Sequence, residues 1–301
     1  MKRSLLWVLG ILLSMAAYAQ VKNQDNTLLW RISGNGLAQP SYLFGTIHMM
    51  CSDDIQLSDS LKSAIGRSDR VYLELDMDNL FEMLGVVNKM KMNGDTTLAD
   101  LLTEEEYTKV KVFFTSQKSM IPFSMLETYK PMLAASTMMQ ASVDCDNPIA
   151  MEQLVMQEAK KVRKRIKGLE TMAFQISIFD SIPYQVQARQ LVKYIEEYGK
   201  NEDKSFEELS LAYRNQELSK LEQLTLQEDA GIQNFTEILL YNRNVDWVKK
   251  MDKLMKEESL VVAVGAGHLP GERGVISLLR KAGYKVEPVR NEMIRKKVKE
   301  I

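Results

Sequence analysis

The chain has 301 residues, a 45% apolar fraction and a formal net charge of −1, from 39 basic and 40 acidic residues. That is enough sequence for one large or two modest domains with a substantial core, and it excludes a disordered, collagen-like or low-complexity chain. The balanced charge gives no reason to expect nucleic acid as a partner.

Lys2 and Arg3 precede an apolar stretch from Leu5 to Ala17 and the small-residue sequence Ala17, Tyr18, Ala19. This is the layout of a secretory signal cleaved after Ala19. The apolar stretch is well short of the roughly 20 residues a bilayer span needs. Residues 1–19 are therefore expected to be removed and 20–301 to form a single exported domain, periplasmic or secreted, with no stable membrane span. Cys51 and Cys145 would then enter an oxidising compartment, where a bridge between them is permitted. Cys51 has no second cysteine at zinc-site spacing.

Gly34, Asn35, Gly36 and Pro40 are turn formers, and the apolar, aromatic run from Ser41 to Met49 reads as a buried strand leading to His48. Ser58–Ile65 reads as a short helix and Arg70–Leu75 as a second strand, which makes a β–α–β unit of about 35 residues. From about 79 to 256 the pattern is helical. Capping-box signatures stand at Thr103–Glu106 and Ser205–Glu208. Met151–Lys164 reads as a helix ended by Gly168, with the basic run Lys160–Lys167 as its solvated end. Ile238–Met255 reads as a further helix. Val261–Val264 returns to strand, followed by a turn through Gly271, a helix from about Gly274 to Ala282, and an edge strand at Lys285–Val289, where Pro288 is tolerated. The expected fold is α/β: a mixed sheet built from N- and C-terminal strands, with a large helical insertion.

The chain has two histidines, and each closes the pattern Gly-x-x-His at the end of an apolar run: Gly45 to His48 and Gly265 to His268. With 15 glycines in 301 residues, this coincidence has a chance of roughly 1 in 400. Ligands collect at the carboxyl ends of parallel strands, where both motifs would lie. Glu74 interrupts a run otherwise suited to burial, so its carboxylate requires a cation, a metal or several donors. Two neutral imidazoles and one carboxylate make a ligand set common to hydrolytic metal sites. Glu170 and Gln175 are candidates to support it, with a capping or salt-bridged glutamate as the competing reading for Glu170. Arg243 could steady a developing oxyanion or pair with a carboxylate. The 19 methionines read as adaptable core. There is no serine-hydrolase elbow, no His-Glu-x-x-His helix and no phosphate-binding loop.

Six segments, in order, carry a resemblance: Tyr42–Met49 (YLFGTIHM), Val71–Asp76 (VYLELD), Tyr129–Ala134 (YKPMLA), Gly168–Gln175 (GLETMAFQ), Tyr241–Asn244 (YNRN) and Val264–Gly271 (VGAGHLPG). Together they resemble the TraB/GumN family, which is similar to the Tiki metalloproteases and, more distantly, to erythromycin esterase and ChaN-type haem-binding proteins. The resemblance implies an α/β core with a large helical part. It matches His48 and His268 to the paired motifs, Glu74 to the carboxylate after the second strand, and Glu170 and Arg243 to other polar motif positions. One departure is Glu152, where the pattern leads us to expect an aspartate. The Tiki branch implies manganese- or cobalt-dependent peptide cleavage. The resulting expectation is an exported hydrolase using a divalent transition metal (Mn, Co or Zn) on a peptide or protein substrate. The metal ligands would be His48, His268 and Glu74, with Glu74, Arg243 and Glu170 in catalysis. The alternatives are a non-catalytic peptide- or haem-binding protein of the same fold and a metal-free ester hydrolase.

Overall fold

The computed structural model describes residues 26–53, 55–116, 121–139, 147–198, 202–227 and 235–293. The expected leader at 1–19 lies outside them. So does Cys145, and with it the Cys51–Cys145 bridge that the sequence permits.

The chain enters the fold at β1 (Leu29–Ser33) and returns through β2 (Ser41–Thr46), to which β1 is antiparallel. The short β3 (Met50–Cys51) and helix α1 (Asp59–Arg67) lead to β4 (Arg70–Leu75). Ser58 caps α1, its hydroxyl accepting from the Leu61 N–H, which satisfies one of the orphan donors of the first turn. A run of helices follows: α2 (Leu80–Gly85), α3 (Leu98–Leu101), α4 (Glu104–Ser116), α5 (Phe123–Leu126) and α6 (Pro131–Met139). β5 (Pro148–Ile149) pairs with β3, placing Cys51 opposite Pro148. After α7 (Met151–Lys161) come β6 (Arg165–Glu170), α8 (Met172–Ile178), α9 (Tyr184–Glu197), α10 (Glu202–Arg214) and α11 (Leu218–Gln227). A π-helical turn at Glu237–Tyr241 opens α12 (Asn242–Met255). The chain closes with β7 (Leu260–Gly265), α13 (Val275–Lys281) and β8 (Lys285–Pro288).

Six strands form one sheet in the order β6-β4-β7-β2-β1-β8. β6, β4, β7 and β2 are mutually parallel, while β1 runs antiparallel to both β2 and β8. β7 reads Leu-Val-Val-Ala-Val-Gly and is buried along almost its whole length, as a central parallel strand covered on both faces must be. Its register fixes the site: Thr46 on β2 pairs with Gly265, and Leu73 on β4 pairs with Ala263. One apolar core surrounds the sheet, with Phe44, Val71, Val262 and Trp247 among its members. A second, made by α3 to α6 and α9, is centred on Leu98, Phe114, Leu126 and Leu191.

The expected α/β class stands, and the terminal strands do make most of the sheet. Two local expectations change. The helical stretch gives the sheet its edge strand: α7 stops at Lys161 and the chain turns through Arg163, whose φ is +58°. The last three residues of the basic run, Arg165–Lys167, thus open β6, in which Ile166 and Leu169 are buried. The capping box at Thr103 and Glu106 forms as expected, but α10 already begins at Glu202 and runs through Ser205. No helix among the described residues is long and apolar enough to cross a membrane.

Candidate functional site

Four adjacent parallel strands end in a row of ionisable side chains. In sheet order they are Glu170 on β6, Glu74 on β4, His268 just beyond β7 and His48 just beyond β2. The row follows from the registers, because Leu75 pairs with Glu170 while Thr46 pairs with Gly265. Each histidine lies two or three residues past the latter pair.

The glycines that open the two histidine motifs have different duties. A side chain at Gly45 would meet Leu28 and Leu269 methyl carbons at 2.9 and 3.1 Å, so the strand end can pack closely only without a Cβ. Its carbonyl accepts a 2.8 Å bond from the buried Tyr213 hydroxyl. Gly265 instead turns its N–H to the Glu74 Oε1, 2.8 Å away.

At the β2 end, the Glu152 Oε1 accepts from the Thr46 hydroxyl at 2.7 Å and from the His48 Nδ1–H at 2.9 Å. Glu152 is buried, and its Oε2 has no hydrogen-bond partner. The hydrogen bond to Glu152 raises the His48 pKa to about 9, against the opposing effect of burial. Even so, 74% of the side chain is exposed, and water there screens the pair. Burial works to raise the Glu152 pKa, but the hydrogen bond and charge of His48 bring it below the ordinary value.

At the β7 end, the His268 Nδ1 lies 2.6 Å from the Asn244 Oδ1. Asn244 is fully buried, and its amide nitrogen donates to the Arg273 carbonyl at 3.0 Å. That bond fixes the amide so that Oδ1 must accept, which puts the proton of His268 on Nδ1. The ring packs on Trp247, with centroids 4.4 Å apart. Burial lowers the His268 pKa to about 4; Arg243 and His48 push the same way, and Glu74 opposes them.

Between the histidines and the sheet edge, Arg243 clamps two carboxylates. Its Nε donates to both Glu170 oxygens at 3.1 Å, and its Nη2 donates to the Glu170 Oε2 at 2.9 Å and the Glu74 Oε2 at 2.7 Å. Gln175 on α8 joins them, donating to Glu74 at 3.2 Å and Glu170 at 3.0 Å. Burial works to raise the Glu74 pKa, but His268, Arg243, His48 and the Gly265 N–H outweigh it and hold the group at about 2. At neutral pH His268 is uncharged, so Arg243, with the protonated His48 and the Gly265 N–H, keeps Glu74 ionised. Burial by itself would lower the Arg243 pKa, but Glu170 and Glu74 raise it.

The donor chemistry fits a divalent transition ion. Each imidazole has Nδ1 held by an acceptor, the usual outer support of a ligating histidine; the His268 Nε2 lies 3.5 Å from the Arg243 Nη1, and the His48 ring must lose a proton before its Nε2 can ligate. Glu74 lies close by, its Oε1 4.0 Å from the His268 Nε2. Among the described residues, no three His, Cys, Asp or Glu side chains already stand as a ligand cluster.

Of the six residues singled out from sequence, Glu74, Glu170, Gln175, Arg243 and His268 are joined by direct contacts, and His48 acts on Glu74 and Arg243 through its charge. Glu170 takes the salt-bridged alternative, at the end of a strand and not after a helix stop. Arg243 takes the carboxylate-pairing one. Sequence reasoning gave no role to Asn244 or Thr46, and it treated Glu152 only as a departure from a pattern. The available signal was its place in the family pattern, where the other acidic residue type, aspartate, is expected.

The profile of the TraB/PrgY/gumN family matches residues 28–288. The chain is similar to Metalloprotease TIKI2 of Xenopus tropicalis, 24% identical over 88% of this chain and 61% of that protein. It is also similar to Metalloprotease TIKI1 of Homo sapiens, 22% identical over 88% of this chain and 62% of that protein. The chain thus spans about three-fifths of the length of the curated relatives it matches. No solved structure matches it.

Proposed function

Because this chain belongs to the TraB/PrgY/gumN family, we propose that its strand-end cleft is the hydrolytic centre of an exported, divalent-metal-dependent peptidase. The observation that supports this reading is that two imidazoles and the Glu74 carboxylate stand at the ends of three neighbouring parallel strands, each ring with its Nδ1 held by an acceptor. His48 and His268 would hold the ion, with Glu74 as the oxygen donor; manganese, cobalt or zinc suits such a set. When bound, the ion supplies a Lewis acid and a water acidified toward neutrality.

The chain's own residues divide the remaining work. Glu152 and Asn244 fix the two rings and their tautomers. Glu74, held at about 2, is a weak base that stays ionised, which suits a ligand better than a proton carrier. Glu170 anchors Arg243, and the guanidinium in turn keeps Glu74 charged and sets a positive potential where an oxyanion would develop. Binding an ion at His48 requires the ring to give up the proton that Glu152 favours, so affinity should rise with pH. The substrate would be a peptide or protein. Export is supported by the basic and apolar start of the chain, and the periplasm or the exterior is the proposed location.

The test is cleavage of an unbiased peptide library by the purified protein, metal-free or supplied with Mn²⁺, Co²⁺ or Zn²⁺. We expect turnover only with metal, reversed by chelator and lost in His48→Ala and His268→Ala. Turnover that survives exhaustive chelation would replace this reading with a metal-free hydrolase. Peptide or haem binding without turnover under any metal would replace it with a binding protein, a reading favoured by the full engagement of Glu74 with Arg243, Gln175 and Gly265.

A further inference from the structure

Helix α7 has two working sides. Met151, Glu152, Val155 and Ala159 are buried, whereas Leu154, Gln157, Glu158 and Lys161 follow one another at i, i+3, i+4 and i+7 and so share a different face. That second face lines a cleft of about 440 Å³, together with Lys62 on α1, the segment between β3 and α1, and Ile149 on β5. Close-packed proteins leave few gaps larger than a water molecule, and this volume falls within the range of small-molecule sites. None of Glu170, Glu74, His268 and His48 lines it, so it is separate from the strand-end row.

The lining decides what the cleft can hold. Its apolar part is Ile55, Leu57, Ile149 and Leu154, the first two buried and the others half-buried. Ser52, Gln56 and Gln157 also line it, and among the described residues their side chains make no hydrogen bond. Two ammonium groups complete the set. The Lys62 Nζ lies 3.6 Å from the carboxylate of the fully exposed Asp59, and the Lys161 Nζ lies 3.6 Å from Glu158. Both separations exceed a hydrogen bond, and an exposed pair three residues apart on one helix holds its cation weakly. Lys62 and Lys161 against Glu158 leave the lining one positive charge in excess. Past Lys161 the chain continues through the exposed Arg163 and Arg165, which adds to the positive potential.

We infer that this cleft binds a small amphipathic carboxylate, with its apolar chain against Ile55, Leu57, Ile149 and Leu154 and its head group between Lys62 and Lys161. Gln56 and Gln157, both exposed, stand at its mouth. A neutral chain would leave the two ammonium groups without a new partner, and a cation would meet them as like charges.

The experiment is calorimetric titration of the purified protein with octanoate, octanol and butanoate. We expect octanoate to bind about tenfold more tightly than octanol, because the head group gains a charged hydrogen bond, and at least tenfold more tightly than butanoate, because the longer chain buries more apolar surface. The Lys62→Gln, Lys161→Gln double variant should bring octanoate down to the affinity of octanol. Gln157→Trp, a change at an exposed position, fills the mouth and should abolish binding of both, with circular dichroism showing that each variant is folded. Equal affinities for octanoate and octanol in the native protein overturn the inference, and so does octanoate binding that Gln157→Trp leaves unchanged. Binding to phosphatidylglycerol vesicles without binding of free octanoate overturns it in favour of a lipid surface. None of these outcomes depends on turnover at the histidines.

Discussion

The two imidazoles stand at neighbouring strand ends but differ in protonation, because one has a carboxylate partner at the solvent boundary and the other a neutral amide in the core. With two histidines in the chain, an NMR titration of the metal-free protein should show one ring titrating near 9 and one near 4. Glu152→Gln should bring the higher value down toward 6.5, and Glu152→Asp should keep part of the rise. A high-pH titration untouched by Glu152→Gln would contradict the pairing. Because the His268 value is depressed in the fold, its contribution to stability is complete above the unfolded value near 6.5 and is lost as pH falls through about 4. Unfolding of the metal-free protein between pH 6.5 and 4 should therefore show a stability loss that His268→Gln removes; an equal slope in the variant would refute it. The raised His48 value works in reverse: its contribution is complete below 6.5 and lost as pH rises through about 9. Arg243→Met strands two buried carboxylates and should cost about 3–5 kcal/mol in denaturant unfolding. A loss below 1 kcal/mol would mean that the clamp is not formed.

Strand ends, and the helices that leave them, bring these groups together. The strands β2, β4 and β7 were legible because each is an apolar run with clear turn or cap chemistry beside it. β6 was not, for two physical reasons. The turn after α7 puts Arg163, rather than glycine, in the left-handed region, which removes the ordinary C-terminal signal. The edge position leaves Arg165 and Lys167 in solvent, so the strand reads as a continuation of a charged helix end. Gly168 shows how closely β6 is joined to its neighbour: a Cβ there would lie 2.6 Å from the Glu170 carbonyl oxygen and 2.7 Å from the Asp76 nitrogen. Backbone atoms yield little, so Gly168→Ala should destabilise by roughly 1–3 kcal/mol and disturb the Glu170–Arg243 contact. A fully stable Gly168→Ala protein would show that the edge strand is free to shift.

At the scale of the molecule, a site assembled from residues 48, 74, 152, 170, 243, 244 and 268 exists only once the whole sheet has closed. The paired motifs announced a shared site because they stand at the ends of two strongly apolar runs, and the family resemblance reached Glu170 and Arg243. The supports that fix the rings came from elements whose faces are set by tertiary packing: Glu152 at the start of α7 and Asn244 on α12. The family pattern touched both positions, but nothing in the local sequence says which ring each of them holds. The central claim is that this assembly is one metal centre, and equilibrium dialysis against Mn²⁺, Co²⁺ and Zn²⁺ with elemental analysis tests it most directly. The account predicts about one ion per native chain and none in the His48→Ala, His268→Ala double variant, with both proteins folded; an unchanged ion content in that variant would contradict it.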